Sequence, residues 1–543
     1  MDFTIKSIAG VSLVCLLTLA GCTEKNTPDN PSNNEVVEPT DTTITPTDTI
    51  SITWNGTTVT INGTNDSVTV TNNNGYVTIN STTKDISYIL SGNGTGQLSI
   101  YSTNRLQLQL SNLTLTCTNG PAINNQCKKS LFVVLNGTNS LTDGSTYASS
   151  TEDRKAAFFS EGQMIFSGRG NLTVKGNYKH AIASDDYILF TESTGTLNLT
   201  SSVKDGINSN DGIFIHGGNI TVTTTGKGTW DTTDKETKAA AGINSGSNIL
   251  ISGGNITLTS TGSGGKGLKC DSALNITGGT LTVKTTGGLY YNNGSTENTN
   301  YTGNTDNLNS KYYSSPKGIK AVGAITISGG TINVSTSGRN GEGIESKSTL
   351  VINGGQITVN SYDDAINAKS DLTVNGGYIY ARATNNDGLD ANGNCYINGG
   401  LIYAIGAKSP EVAIDANTEE QKKLYITGGT IIAVGGLERG SSISGGTAKQ
   451  TTSWTAQKWH ALYNDGSLVI AFQTPTKQTS GGGGPGGNNS QALVVYTSGT
   501  PTLKSDVSVS GGTAYFGGQA NIGGTINGGS SVTLSNYNSN SGW

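Results

Sequence analysis

A repeated Gly-Gly pair constrains the possible folds of this chain more than any other feature. The pair recurs at intervals of 22 to 51 residues through the middle of the sequence. The first glycines of the pairs are Gly217, Gly253, Gly278, Gly329, Gly354, Gly376, Gly399 and Gly428. A period in the low twenties, lengthened by insertions, is typical of the stacked coils of one solenoid rather than of separate domains. Glycine suits the bends because it adopts positive φ angles without steric cost.

Aligning the repeats on Gly-Gly reveals columns of apolar residues. The positions four before, two before and three after the first glycine are almost all Ile, Leu or Val, as in Ile325, Ile327 and Ile332. A further upstream column contains Ile207, Ile243, Leu268, Ile319, Ile344, Ile366, Leu389 and Ile414. Alternation with period two predicts strands. We therefore predict an all-β, right-handed parallel β-helix with three short strands per coil, about 22–25 residues per coil, and β caps at both ends.

The sequence divides into four predicted regions. Residues 1–22 contain a short apolar run that ends Leu-Ala-Gly-Cys, which resembles a bacterial lipoprotein signal peptide with the lipid on Cys22. We expect residues 23–51, rich in Thr, Asn and Pro, to be a disordered tether. The β-helix is assigned to 52–440, and a β-rich cap or tail, with a Gly-rich linker at 481–487, to 441–543. The lipid predicts attachment to the membrane, as an outer-membrane lipoprotein at the bacterial cell surface.

Charge and cysteine content narrow the function classes. The formal net charge of −5 does not favour a nucleic-acid partner. With three histidines and no paired Cys spacing, a zinc site is not expected. Cys270 and Cys395 fall in inward columns and are expected to be buried thiols, whereas Cys117 and Cys127 can pair if their strand ends meet. We expect a monomer.

At two positions beside the upstream apolar column, basic and acidic residues occur in separate groups of coils. Lysines come first, at Lys266, Lys269, Lys317 and Lys320, and acidic residues follow in the next coils. Stacked carboxylates about 5 Å apart repel by roughly 3 kcal/mol per pair at an effective dielectric near 20, so protons or cations must offset them. Calcium prefers six to eight oxygen ligands. We predict Ca²⁺ held by Asp363, Asp364, Asp387 and Asp390, with Glu342, Glu345 and Asp415 as further ligands. The alternative is a solvated acidic edge that deters aggregation.

The neighbouring lysines have two interpretations. Lys317 and Lys320 can bind the carboxylates of an acidic polysaccharide. In a lyase, one of the four lysines can instead remove the proton α to a uronate carboxylate, if burial lowers its pKa. The simpler alternative is that all four are ordinary solvent-facing lysines.

Tyrosines also align from coil to coil. Tyr380 and Tyr403 share one outward column, and Tyr396 and Tyr425 share another. Flat aromatic faces suit the apolar faces of sugar rings, so we predict that these four tyrosines bind carbohydrate. The alternative is the preference of tyrosine for exposed strands.

Several short motifs together carry a resemblance to one family. They are Asn119-Gly-Pro-Ala-Ile123, Lys129–Leu141, Asn177-Tyr-Lys-His-Ala-Ile182, Lys204-Asp-Gly-Ile207, Lys317-Gly-Ile-Lys320, Asp363-Asp-Ala-Ile-Asn367 and Asn386-Asp-Gly-Leu-Asp-Ala-Asn-Gly393. The chain resembles the calcium-binding, polysaccharide-lyase-like right-handed β-helix family over residues 55–440; the region after 440 does not follow the pattern. The resemblance implies a carbohydrate-binding module for cellulose or polygalacturonate without established lyase activity.

Three functions are consistent with the sequence. The first is a lipid-anchored, calcium-dependent polysaccharide binder. The second is a calcium-dependent pectate-type polysaccharide lyase with a lysine base. The third is a structural adhesin in which the solenoid acts as a spacer.

Overall fold

A computed structural model describes residues 37–305, 307–477 and 491–539. The chain divides into two units, Met1–Glu35 and Val36–Trp543, and all described residues belong to the second. The predictions for Cys22 and for the linker 481–487 lie outside the described residues. Among the residues described, no helix is long and apolar enough to cross a membrane.

The fold is all-β and solenoid-like, built from three columns of strands that we call faces 1, 2 and 3. Face 1 is a separate sheet of 13 strands, parallel apart from the antiparallel pairing of its first two. Its strands are Val68–Asn73, Tyr76–Ser81, Gln97–Ser102, Ile123–Asn125, Ala156–Ser160, His180–Ser184, Ile207–Ser209, Ala241–Ser245, Lys266–Cys270, Lys317–Ala321, Glu342–Ser346, Ile366–Ala368 and Leu389–Ala391. Isolated bridges continue this column from Leu389 to Ile414 and Leu437.

Faces 2 and 3 belong to one larger sheet because two long strands, Ile86–Thr95 and Leu106–Thr116, run across both. Face 2 continues with Leu131–Asn136, Met164–Ser167, Ile188–Phe190, Ile213–Ile215, Ile249–Ile251, Leu274–Ile276, Ile325–Ile327, Leu350–Ile352, Leu372–Val374, Cys395–Ile397, Leu424–Ile426 and Ser442–Ile443. Face 3 continues with Thr138–Thr142, Asn171–Gly176, Thr196–Ser201, Asn219–Thr224, Asn255–Ser260, Thr280–Thr285, Thr331–Thr336, Gln356–Ser361, Tyr378–Ala383, Leu401–Ile405 and Thr430–Val434. The right-handed sense of the coil stays a prediction.

The predicted apolar columns point into the solenoid. Ile319, Ile344 and Ile366 are register partners on face 1, and each is fully buried. Cys270 and Cys395 are buried free thiols in this core, as their columns predicted, and Cys117 and Cys127 are also free. Complete burial of an aliphatic side chain contributes about 1.5–3 kcal/mol, so the stacked columns provide most of the driving force for folding.

The two glycines of each pair are required for different reasons. At the second position, φ is positive, for example 87° at Gly400. At the first position, a Cβ on Gly399 would lie 2.3 Å from the carbonyl oxygen of Asn375 in the preceding coil. The pair therefore combines a left-handed bend with close backbone approach between coils, and only glycine meets both demands.

The C-terminal region forms a six-stranded antiparallel sheet. In spatial order its strands are Thr513–Tyr515, Ala520–Ile522, Ser467–Gln473, Trp459–Asn464, Pro501–Ser510 and Thr525–Val532. A further strand, Leu493–Thr497, pairs antiparallel with Thr430–Val434 and ends the parallel order of face 3. It also pairs with Thr447–Thr451, which pairs with Ser535–Asn536.

Part of the predicted tether is in contact with the solenoid. The first strand, Asp48–Gly56, begins before the predicted boundary at residue 52 and pairs with Ile86–Thr95 and Thr58–Asn62. Upstream of it, Asp41 Oδ1 lies 2.7 Å from Arg105 Nη1, and Ile44 packs against an apolar cluster on face 2. The boundary was placed too late because this segment has no repeat pattern of its own.

Two insertions stand beside face 1. The strands Thr229–Asp231 and Glu236–Lys238 form a hairpin. The segment between Gly287 and Pro316 contains a small antiparallel sheet of Tyr290–Asn292, Glu297–Asn298 and Tyr313–Ser314, with a 3₁₀ turn at Ser310–Tyr312. Two further 3₁₀ turns are Thr418–Glu420 and Phe516–Gly518.

Candidate functional site

Charged side chains line two neighbouring columns on the outside of face 1. In the first, Lys266 is the register partner of Lys317, which is the partner of Glu342. The second column runs through Lys269, Lys320, Glu345, Asn367 and Asp390. The coil-by-coil alignment predicted from the sequence is confirmed at these positions. The site divides into a lysine–glutamate network and a carboxylate cluster.

Glu345 is the centre of the lysine–glutamate network. Its carboxylate is 1% exposed, and it forms ion pairs with Lys320 (Nζ to Oε2, 3.3 Å), Lys317 (Nζ to Oε1, 3.6 Å) and Lys347. Burial alone would raise the pKa of Glu345, but the three ammonium charges outweigh it and hold this pKa well below its usual value. Lys317 also pairs with Glu342.

The predicted calcium ligands Glu342 and Glu345 have lysine partners. Glu342 pairs with Lys317, and Glu345 pairs with Lys317 and Lys320, both of which belong to the preceding coil. The register placed them correctly, whereas the choice of partner depends on side-chain packing that the repeat pattern does not encode. The predicted run of acidic coils is therefore divided. Its first coil, with Glu342 and Glu345, belongs to the lysine–glutamate network, and the later coils form the carboxylate cluster.

Lys266 differs from the other three lysines. It is 8% exposed, and its Nζ donates to the carbonyl oxygen of Gly264 at 2.7 Å and to Ser314 Oγ. No carboxylate in the described parts of the chain lies within ion-pair distance of this Nζ. Burial, together with the positive charges of Lys320, Lys269 and Lys317, lowers the pKa of Lys266 well below its usual value. Burial also lowers the pKa of Lys320, so the prediction of a lysine with a depressed pKa applies to both Lys266 and Lys320.

The carboxylate cluster occupies the next coils. One carboxylate oxygen each from Asp387, Asp390 and Asp415 lies within 4.8 Å of the others. Asn367 connects Asp364 to this group, because its Nδ2 donates to Asp364 Oδ2 at 3.2 Å and to Asp390. Asp363 stands at the margin, where its Oδ1 accepts from Asn386 Nδ2 at 3.1 Å.

Backbone donors hold part of this cluster in place. The amide of Asp387 donates to Asp364 Oδ1 at 3.1 Å, and the amide of Val412 donates to Asp387 Oδ1 at 2.5 Å. Burial raises the pKa of Asp387 to about 8, of Asp390 to about 6 and of Asp415 to about 10, and the negative charges of neighbouring carboxylates contribute. Burial likewise raises the pKa of Asp364 well above its usual value. The group therefore requires protons or a cation at neutral pH.

Sequence reasoning missed Glu438. This residue follows Leu437, which continues the apolar column of face 1 after Ile414. Glu438 thus stands one coil beyond Asp415, and its carboxyl group contributes to the raised pKa of Asp415 through a hydrogen bond. Extending the column from Ile414 to the coil that contains Gly445 and Gly446 would have found it.

The donor set is compatible with a hard cation. Asp387, Asp390 and Asp415 offer only oxygen atoms, from adjacent coils, in a partly dehydrated position. Calcium in proteins is bound by such carboxylates with added carbonyl and water oxygens. These three residues, with Asp364 and Glu438 nearby, are the ones that would hold it.

The predicted tyrosine pairs have different environments. Tyr396 and Tyr425 are half-buried register partners whose rings stack at 5.2 Å between centroids with an angle of 9°. Tyr380 and Tyr403 are instead 3% and 0% exposed, because the C-terminal sheet packs over them with Leu462 and other apolar side chains. The prediction that Tyr380 and Tyr403 present rings to a sugar is therefore wrong.

A groove of about 820 Å³ runs along the basic half of face 1. Its floor includes Lys269, Lys320 and Glu345, and the hairpin and the insertion form its walls, with Lys238 and Tyr313 among the lining residues. Lys204, Asp205 and His180 line one part of it, and Asp363 lines the side towards the carboxylate cluster. The groove therefore combines lysines and carboxylates with walls that the insertions provide.

Comparison with known proteins identifies the family. A model of the carbohydrate-binding domain-containing protein family matches residues 73–339, 314–386 and 336–504, which together span most of the chain. The chain belongs to this carbohydrate-binding domain family. The match includes the groove, the carboxylate cluster and the strands Trp459–Asn464 and Ser467–Gln473 of the C-terminal sheet.

One solved structure is similar to part of this chain. It is a polysaccharide lyase-like protein from C. thermocellum, studied as a gadolinium derivative, with 21% sequence identity and a TM-score of 0.37. The alignment covers 44% of this chain and 91% of the other. No curated protein matches the chain.

Proposed function

We propose that this protein binds an acidic polysaccharide along face 1, with its chain in the lysine-lined groove and with calcium in the adjacent carboxylate cluster. Membership of the carbohydrate-binding domain family supports polysaccharide binding. The observation that carries the finer proposal is the juxtaposition of a cationic groove and a carboxylate cluster on one face of the solenoid. Coils repeat at about 4.8 Å, so a linear polymer lying along the axis meets a regular series of side chains.

Seven lysines and six carboxylate side chains line the groove, and the more exposed lysines are the groups available to an acidic ligand. Lys269 Nζ lies 2.8 Å from the exposed carboxylate of Asp271, and this surface pair is weak enough to exchange for a ligand carboxylate. The Lys320 side chain is 22% exposed, and its ammonium group pairs with the carboxylate of Glu345. Calcium bound by Asp387, Asp390 and Asp415 would neutralise the cluster and remove its repulsion of an anionic polymer.

A glycan array probed in calcium and in chelator tests this proposal. We expect retention on acidic polysaccharides, stronger in calcium, and a loss of binding in the variant Lys269→Ala. Glu419→Ala, an exposed residue outside the groove, serves as the matched control. Equal binding in both buffers would remove calcium from the proposal, and no retention on any glycan would favour the structural adhesin.

A lyase activity is the second candidate, and the environment of Lys266 favours it. The depressed pKa of Lys266 favours the neutral amine, which can accept the proton α to a uronate carboxylate held by the neighbouring lysines. In that reaction the C–H electron pair forms the new C=C bond, the glycosidic C–O bond breaks, and the leaving oxygen takes up a proton. Incubation with polygalacturonate would then produce ultraviolet-absorbing unsaturated ends in the native protein and not in Lys266→Met.

The cellular location follows from the lipoprotein-like N-terminal segment. We propose that Cys22 carries the lipid and that the solenoid is held at the outer membrane, facing the cell surface. Incorporation of a labelled fatty acid by the native chain, and its loss in Cys22→Ser, would support this arrangement. Protease treatment of intact cells would report whether the solenoid is exposed.

A further inference from the structure

A pair of tyrosines lies next to the groove on face 1. The rings of Tyr147 and Tyr178 stack at 4.0 Å between centroids with an angle of 21°, and both side chains are half-buried. The sequence analysis did not identify this pair, because Tyr147 lies in a long loop outside the repeat. A stacked pair that retains exposed ring surface is a suitable contact for a sugar ring.

The tyrosine pair is held rigidly by Asp143. This residue is 3% exposed, and its Oδ2 accepts from the hydroxyl of Tyr147 at 2.7 Å. Its Oδ1 accepts from the amide of Asn177 at 2.6 Å, and its carbonyl oxygen accepts from Asn177 Nδ2 at 2.9 Å. The two loops that carry the rings are therefore fixed before any ligand arrives, which lowers the entropic cost of binding.

Two cations flank the rings. Lys179 Nζ lies 5.5 Å from the centroid of Tyr178, and Arg154 Cζ lies 5.9 Å from that of Tyr147. Arg154 also donates to the carbonyl oxygen of Ala148, which fixes it. Within residues 37–305, 307–477 and 491–539, no carboxylate lies within ion-pair distance of the Lys179 ammonium group. Lys179 is thus available to an external anion.

The pair is continuous with the groove. Lys179 directly precedes His180, which lines the groove, and the carbonyl oxygen of Lys179 accepts from the amide of the groove residue Lys204 at 3.2 Å. A polymer that follows the axis beyond Lys204 would therefore reach Tyr178 next. Its ring would contact the exposed part of Tyr178, and its carboxylate would lie near Lys179.

We infer that Tyr178, stacked on Tyr147 and accompanied by Lys179, forms a separate subsite for an acidic sugar at this end of the groove. The inference rests on the proposed polysaccharide-binding function and adds a position and a ligand class to it. The subsite matters only for chains long enough to extend beyond Lys204. It therefore predicts that the effect of altering Tyr178 depends on ligand length.

Titration of the full-length protein with polygalacturonate and with a short oligogalacturonide tests the subsite. We expect Tyr178→Ala to weaken binding of the long chain by about 5-fold or more, as for the loss of roughly 1 kcal/mol of aromatic contact, and to leave the short ligand unaffected. Tyr178→Phe keeps the ring and should bind like the native protein. Tyr463→Ala is the matched control, because Tyr463 is a half-buried tyrosine of the C-terminal sheet with Lys504 Nζ 5.8 Å from its ring centroid. Lys179→Gln should weaken binding of the long acidic chain.

The outcomes separate the proposed subsite at Tyr178 from the proposed binding of polysaccharide in the groove. If Tyr178→Ala binds the long chain like the native protein while Lys269→Ala binds it weakly, the subsite is wrong and the groove proposal stands. If Tyr178→Ala weakens both ligands equally, the subsite as a separate position is wrong. If the native protein binds neither ligand, both proposals fail. Urea unfolding of each variant checks that the fold is retained.

Discussion

Lys320 and Glu345 occupy equivalent positions in adjacent coils, and Lys320 Nζ lies 3.3 Å from Glu345 Oε2. The glutamate side chain is almost completely buried, and it also pairs with Lys317 and Lys347. The network thus joins two adjacent coils through one carboxylate. It is the point at which the basic and acidic halves of face 1 meet.

Removing this carboxylate should destabilise the solenoid. We expect Glu345→Gln to reduce the free energy of unfolding by about 3–5 kcal/mol, because it leaves buried ammonium groups without their partner. The midpoint of urea unfolding measures the change. Glu419→Gln, at an exposed position, should shift it by less than about 0.5 kcal/mol, and equal shifts in the two variants would contradict the assigned network.

Stability in chelator should fall as the pH rises from about 4 to about 10. The pKa values of Asp390, Asp387 and Asp415 are raised to about 6, 8 and 10. The ordinary pKa of an unfolded aspartate is about 3.9, so at pH 5–9 the folded state binds more protons than the unfolded state. The stability from these groups is present at low pH and is lost as the pH rises through the folded pKa values.

Calcium should oppose this loss, since its binding displaces the protons. Thermal unfolding at pH 5 and pH 9, in calcium and in chelator, should show a calcium effect mainly at pH 9. Asp387→Asn with Asp390→Asn should abolish the calcium effect, whereas Glu342→Gln should retain it. A calcium effect that persists in the aspartate double variant would remove these residues from the site.

The glycine pairs allow a test of coil stacking. Gly400 and Gly466 have similar φ angles, 87° and 83°, but a Cβ on Gly400 would lie 3.0 Å from backbone atoms of the preceding coil, whereas one on Gly466 would meet nothing within 4 Å. Both Ala variants incur backbone strain of about 1–2 kcal/mol. Gly400→Ala should lose about a further 1–3 kcal/mol from overpacking, measured by urea unfolding. Equal losses would contradict the close stacking of coils.

Tyr403 should matter for stability rather than for sugar binding. Its ring is fully buried beneath the C-terminal sheet, and its hydroxyl donates to the carbonyl oxygen of Gln473 at 2.7 Å. We expect Tyr403→Ala to cost about 3–5 kcal/mol of unfolding free energy. Tyr425→Ala, at a half-buried position, should cost less. A Tyr403→Ala variant of native stability that has lost polysaccharide binding would restore the original interpretation.

The sequence repeat predicted the features that recur in every coil and missed those that occur once. Ile319, Ile344 and Ile366 were assigned to the core because each coil imposes the same inward position. The burial of Tyr403 was not predictable, because the residues that cover it come from a C-terminal sheet outside the repeat. Glu438 was missed for a related reason, since the last coil departs from the repeat spacing: Leu437 lies 8 residues before Gly445, whereas Ile207 lies 10 residues before Gly217.

Within the site, the sequence predicted alignment but not partner choice. It aligned the lysines and carboxylates of adjacent coils because the register is uniform. It did not separate Glu345, which pairs with lysines, from Asp390, which lies among carboxylates. The difference depends on the register partner in the preceding coil. This partner is Lys320 for Glu345 and Asn367 for Asp390.

The central claim is that face 1 binds an acidic polysaccharide with the help of calcium. Calorimetric titration of polygalacturonate into the native protein, in calcium and in chelator, tests it most directly. We predict saturable binding in calcium, weaker binding in chelator, and weaker binding by Lys269→Ala in calcium. Absence of binding in calcium, or identical affinity in all three experiments, would contradict the claim.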